Sequence, residues 1–162
     1  MHPHPIWTSL DGNLYQAKAS RIQALFLTGR YLTERLCRVW SSNREGKCLL
    51  ETCKNLNLYD NLEHIILHCS GQTETRRRLK QFTVDYIADK PVLQPLVETY
   101  LFTDNHQLCM QFIIDCSVLP LVISAYQSYG AIIHQTLFKI TRTWCRSLHV
   151  SRMKQLGRFI KY

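Results

Sequence analysis

Four residues in the first half of the chain have the types and spacing of a metal site: Cys48, Cys53, His64 and Cys69, in the pattern Cys-x4-Cys-x10-His-x4-Cys. Thiolates and imidazole are the borderline-soft donors that zinc (Zn2+) takes in closed tetrahedral structural sites. Two of these residues fall in a polar, loop-like stretch and two bracket a short helix, so four donor atoms can converge on one ion. Such a site is worth about 10–16 kcal/mol in small peptides and can fix a loop that has little core of its own. The gap between Cys48 and Cys53 is at the long edge of usual finger spacing. His68 competes with His64, and His64 is preferred because His68 adjoins Cys69 and neighbours rarely both reach one ion. The alternative is three cysteines and a histidine packed in a reduced core. Cys37, Cys109, Cys116 and Cys145 have no comparable arrangement and read as core thiols.

A second chemistry is phosphate binding. Arg76, Arg77, Arg78 and Lys80 form one basic run, and Lys139, Arg142, Arg146, Arg152, Lys154 and Arg158 recur through the tail. Such side chains neutralise phosphates with release of counterions, which gives salt-sensitive affinity and little sequence preference. Trp40, Phe82 and Trp144 lie near these runs and could stack on unpaired bases. Trp144 sits on an apolar stripe and reads as core. An arginine run can equally be a solvated face. Catalysis is poorly served: Asp115 has no second carboxylate and lysine at nuclease spacing, and Cys116 has no base placed for it among His106, His134 and His149.

The elements that must position these groups read as helices, because apolar residues recur at three- and four-residue spacing and only short runs alternate. A first helix is expected over about 13–28, with Ile22, Leu25 and Phe26 inward and Gly29 ending it in a left-handed cap. A second covers 33–40. Asp60 with Glu63 reads as a capping box opening a helix through Leu62, Ile65 and Ile66. A basic helix follows Gly71, with Thr73 as its cap and Leu79, Phe82 and Tyr86 on one side. Pro91 is expected to open a helix running through Leu96, Val97 and Tyr100. Pro120 and Gly130 punctuate the next segment. From Ile133, the residues Leu137, Ile140, Trp144 and Leu148 make the longest stripe, with Lys139, Arg142 and Arg146 expected on the opposite, solvent side.

The fold class is therefore mainly α: a small Cys/His knuckle embedded in a helical domain and followed by a helical bundle. Residues 1–80 would hold a helix pair and the zinc module, and residues 81–162 a helical region with a basic tail.

At 162 residues and 46% hydrophobic, the chain can bury a real core and is not a disordered polyelectrolyte. Its net charge of +8 favours a polyanionic partner. That charge is uneven: residues 1–80 carry twelve Lys/Arg against seven Asp/Glu, residues 81–138 one against five, and the remainder seven against none. Seven cysteines, an odd number, follow an opening without a secretory signal, which points to a reducing, intracellular setting in cytoplasm or nucleus. Residues 116–138 lack a formal charge but contain Pro120, Gln127, Gly130, His134 and Gln135, too polar for a bilayer span. No membrane partner is expected.

Several strings together resemble the zinc-binding region that closes non-LTR retrotransposon (LINE-type) reverse-transcriptase polyproteins. They are Leu27-Thr-Gly-Arg-Tyr-Leu-Thr-Glu34, Trp40, the Cys48 and Cys53 pair, Leu62-Glu-His-Ile-Ile-Leu-His-Cys69 and the following Thr-Arg-Arg-Arg. Asp115-Cys-Ser-Val-Leu-Pro120, Thr141-Arg-Thr-Trp-Cys145 and Leu148-His149 resemble the final segments of such elements, so the likeness spans nearly the whole chain. It implies a Cys/His module at Cys48, Cys53, His64 and Cys69 that helps grip template RNA or target DNA during target-primed reverse transcription. It also implies that the polymerase portion of the parent polyprotein is a partner. The chain has no Tyr/Phe-x-Asp-Asp polymerase motif and no acidic cluster for catalytic magnesium, so it is expected to be non-catalytic. A Met1 start inside such a polyprotein suggests a truncated copy or a frame cut at an exon. The other reading is a helical scaffold that packs against the polymerase without nucleic-acid affinity of its own and exposes an apolar patch when isolated.

Overall fold

The computed structural model describes residues 3–10, 12–40 and 45–158. The helices run α1 (Pro5–Thr8), α2 (Leu14–Leu27), α3 (Glu34–Trp40), α4 (Thr73–Ile87), α5 (Gln94–Tyr100), α6 (His106–Asp115), α7 (Pro120–Tyr129) and α8 (Ala131–Gln155). Among the described residues the only strand-like pairing is a single antiparallel bridge between Lys47 and Tyr59. The fold is mainly α with a Cys/His knuckle inserted between α3 and α4, as the sequence indicates.

The limits of α2 follow from its end chemistry. The Asn13 side chain accepts from the Tyr15 amide at its start. At its end Gly29 takes φ +65°, the Arg30 amide donates to the Leu25 carbonyl and the Gly29 amide to that of Phe26. These two bonds make a Schellman motif, and the positive φ makes glycine the residue that closes it without strain. Thr33 caps α3 through a bond from the Leu36 amide.

Other ends differ from expectation. Asn61, not Asp60, accepts from the His64 amide; Asp60 is drawn inside by other partners. Thr73 is the first residue of α4, not its cap. Pro91 lies in a turn, and α5 begins three residues later at Gln94 with Pro95 in its first turn.

Helix α8 is the axis of the molecule. Its stripe of Ile133, Leu137, Ile140, Trp144 and Leu148 is buried as expected, and Trp144 Nε1 donates to Thr83 Oγ1 of α4 at 3.0 Å. A one-sided amphipathic helix would leave the opposite face wet, but α1, α2, α4, α6, α7 and the knuckle all pack on α8. Phe138, Thr141, Arg142, Cys145 and Arg152 are therefore buried too. One contiguous apolar core takes residues from Ile6 through Ile65 to Leu148. Residue 80, the expected boundary, falls inside α4, whose Leu79 and Ile87 belong to that core, while Cys48, Leu50, Cys53 and Cys69 form a separate small cluster.

Cys109, Cys116 and Cys145 are buried core thiols. Asp115 is structural: its carboxylate accepts from the amide and hydroxyl of Ser117 and meets His4 Nε2 at 3.2 Å. The stretch His106–Tyr129, with mean hydropathy 1.9, is long and apolar enough to cross a membrane by length and composition. Here it is two helices broken by a 3-10 turn at Cys116–Val118, with Phe112, Ile113 and Val122 in the core.

Candidate metal centre and its basic surroundings

Cys48 and Cys53 are delivered by a hairpin-like knuckle. The Cys48 amide donates to the Leu58 carbonyl and the Asp60 amide to that of Gly46, which ties the loop's two ends together. Between them a 3-10 turn, Glu51–Leu56, ends on Asn57 with φ +54°. His64 and Cys69 come from the π-helical turn His64–His68, in which the Cys69 amide bonds the His64 carbonyl. In an α-helix, residues five apart point about 140° away from one another. A π turn closes i to i+5, so it stacks them on one face. The x4 spacing of His64 and Cys69 is thus the spacing of a single π turn.

All four donor residues are buried, and their ligand atoms lie within 4.8 Å of one another. Cys53 Sγ is 3.6 Å and Cys48 Sγ 4.0 Å from Cys69 Sγ. Sulfurs bound about 2.3 Å from one tetrahedral ion stand about 3.8 Å apart, so the arrangement fits. No disulfide joins any of the seven cysteines. His64 Nε2 is buried without a hydrogen-bond partner, which in a packed interior is costly. Cys48 lies beside that ring and raises its pKa by direct contact, but the geometry is that of two groups facing a common point. This buried Cys3His set can hold a metal ion.

The three thiols are not electrostatically equivalent. Cys69 hydrogen-bonds Cys48, which draws the Cys48 pKa down to about 3 and pushes that of Cys69 up. Burial alone would raise Cys53, but the hydroxyl and amide of Ser70 outweigh it and lower its pKa. Three thiolates and a neutral imidazole around a divalent ion carry one net negative charge, and two arginines stand near it. The fully buried Arg152 pairs with the fully buried Asp60 at 2.6 Å; burial pulls its pKa down, and Asp60, Tyr31 and Cys48 together raise it. Asp60 accepts from the Glu34 amide as well. Arg76 is half-buried, with Nη1 unpartnered, and feels the charges of Cys69 and Cys53.

Two of the ten basic residues assigned to a phosphate surface are thereby corrected. Arg142, 1% exposed, donates to the Phe138 carbonyl and to Ser9. Arg152, 0% exposed, serves the Asp60 pair behind the knuckle. Neither can reach a phosphate, because the elements packed around α8 cover them. Arg77, Arg78, Lys80, Lys139, Lys154 and Arg158 are exposed and Arg146 half-buried. Arg77 and Arg78 share the exposed Glu74 carboxylate, Lys139 lies over the Tyr86 ring and Arg146 over that of Tyr15, and Arg158 pairs with Glu34. Trp144 forms part of a cleft floor but is 2% exposed, which leaves no face for a base. Phe82 stacks on Tyr86. The side chain of Trp40 lies outside the described residues.

Arg76, Arg77 and Lys80 line a cleft of about 420 Å³ between α4 and the start of α6, floored by Leu67, Leu101 and Trp144. His68 is exposed and faces away from the four donors, so it does not compete for that ion. Sequence reading missed Gly71, whose Cβ would meet Gln155 Oε1 at 2.7 Å and Leu50 Cδ1 at 2.8 Å. Its carbonyl accepts from Gln155 Nε2, which clamps the end of α8 to the knuckle. No protein family matches this chain, and neither a curated protein nor a solved structure does.

Proposed function

We propose that this chain is a non-catalytic, zinc-dependent nucleic-acid-binding module from the carboxy-terminal region of a non-LTR retrotransposon reverse transcriptase. In that setting it works inside the cell, beside the polymerase portion of its polyprotein, and holds template RNA or target DNA. The observation that carries the reading is the joining of two features on one helix. Helix α4 starts four residues after Cys69 and presents Arg77, Arg78 and Lys80 to solvent, with Arg76, Arg77 and Lys80 along a cleft. Zinc is the natural occupant of a closed set of three thiolates and one imidazole. Once bound, it fixes the turn from which α4 projects and so the bearing of its arginines. The Glu74 pairs are exposed ion pairs, worth little, and a phosphate can replace them.

Zinc stoichiometry after dialysis against a mild chelator, then oligonucleotide titration at two salt concentrations, tests this. One retained zinc and salt-sensitive binding are expected. Replacing Arg77, Arg78 and Lys80 with alanine should make the log–log salt slope shallower by about 0.9 for each duplex phosphate that is no longer neutralised. Metal-free protein, or metal without binding, overturns the reading.

A scaffold reading has its own support. Val118, Leu121, Ile123, Tyr126, Tyr129 and Ile132 are all exposed on and around α7, an apolar surface that suits the polymerase portion as its cover.

A further inference from the structure

The π turn offers a second set of donors. Residues five apart stack in it, so the register that sends His64 and Cys69 inward sends Glu63 and His68 outward, one position earlier on each side. Glu63 Oε1 lies 3.6 Å from His68 Nε2. His106, first residue of α6, comes alongside, its ring centroid 4.7 Å from that of His68 and the planes at 64°. The Asn105 side chain, accepting from the Leu108 amide, anchors that helix start. One ligand atom from each of Glu63, His68 and His106 lies within 4.8 Å of the others, and all three residues are exposed.

We infer that Glu63, His68 and His106 form a second, solvent-open site for a divalent transition-metal ion, separate from the buried Cys3His centre. Two imidazoles and a carboxylate suit zinc, cobalt and nickel rather than magnesium or calcium, which prefer all-oxygen sets. Three protein donors leave coordination positions to water or to a ligand, unlike the four-donor closed site. His106 also lines the cleft of Arg76, Arg77 and Lys80, so the ion stands at its rim, where a phosphate oxygen could complete its coordination. The site draws on no residue of the Cys3His set, and it stands whether or not the protein binds nucleic acid.

The test begins with the full chain carrying one tightly held zinc and adds Co2+, followed by equilibrium dialysis and the near-ultraviolet and visible spectrum. A second equivalent should bind without a thiolate-to-cobalt charge-transfer band, since no sulfur lies in this site. His106→Ala, at an exposed helix start, should weaken that equivalent by more than the factor of about 10–100 typical of losing an outer-shell partner. His68→Ala should do the same, and both should keep the first zinc. A single equivalent in the parent chain, a second one indifferent to both substitutions, or a charge-transfer band marking cobalt in place of the first zinc would each overturn the site.

Discussion

Arg152 distinguishes a phosphate contact from an internal counter-charge. It is buried against Asp60 beside the thiolates, so Arg152→Met leaves a carboxylate uncompensated in the interior. Breaking a buried pair in this way costs about 3–5 kcal/mol. Chemical denaturation should register a loss of that size, with zinc held less tightly; a loss of oligonucleotide affinity at unchanged stability would instead make Arg152 a surface contact. His149 carries a separate expectation for pH. Burial first, then Arg152 and Arg146, lower its pKa to about 4, and its Nδ1 lies 2.9 Å from the Tyr31 hydroxyl. The unfolded ring titrates near 6.5, so the stability that comes from keeping it neutral is full above about pH 6.5 and lost as pH falls toward 4. Melting temperature between pH 7 and 4 should fall less steeply in His149→Gln than in the parent chain. Equal slopes would mean that His149 does not report its burial. Any metal loss in acid, from protonation of thiolate ligands, would be common to both proteins and cancel in the comparison.

At the scale of elements, the π turn and Gly71 set where the knuckle meets α8. Gly71→Ala must shift the end of Leu50, which is itself buried with the cysteines, and push on the Gln155 amide that clamps the Gly71 carbonyl. Overpacking of this kind costs about 1–3 kcal/mol, and hydrogen exchange should show the end of α8 opening before its middle. Unchanged protection there would mean that the clamp contributes nothing. Such features also mark how far the sequence could be read. Asn13, Gly29 and the Ile133 to Leu148 stripe act locally, and α2 and α8 form where these residues place them. The convergence of Cys48, Cys53, His64 and Cys69 was legible because ligand types and spacing are themselves the chemistry. The π turn was not, since nothing in a five-residue window distinguishes it from an α turn until the ligands converge. Asp60 has the sequence setting of a cap, but its partner Arg152 lies 92 residues away. Arg142 read as part of a wet face because a stripe predicts one dry side, and Arg152 read as part of a basic tail, whereas α8 is enclosed by neighbours that no local pattern specifies.

The whole molecule presents two unlike surfaces, a basic one around α4 and an apolar one around α7. They lead to separable behaviour in solution. If the α7 surface is normally covered, the isolated chain should associate with itself as concentration rises, because exposed Leu121, Tyr126, Tyr129 and Ile132 gain by leaving water. Salt should strengthen or leave unchanged this association, while it weakens oligonucleotide binding through the exposed arginines. Sedimentation velocity across concentration and salt resolves the two. The double variant Leu121→Asp, Tyr129→Ser places polar groups at positions already exposed, so it should sediment as a monomer with zinc content and oligonucleotide affinity intact. A parent chain that stays monomeric at all concentrations would remove the case for a covered α7 face and leave the basic surface as the molecule's interaction site. Loss of oligonucleotide binding in the double variant would show instead that the two surfaces act as one.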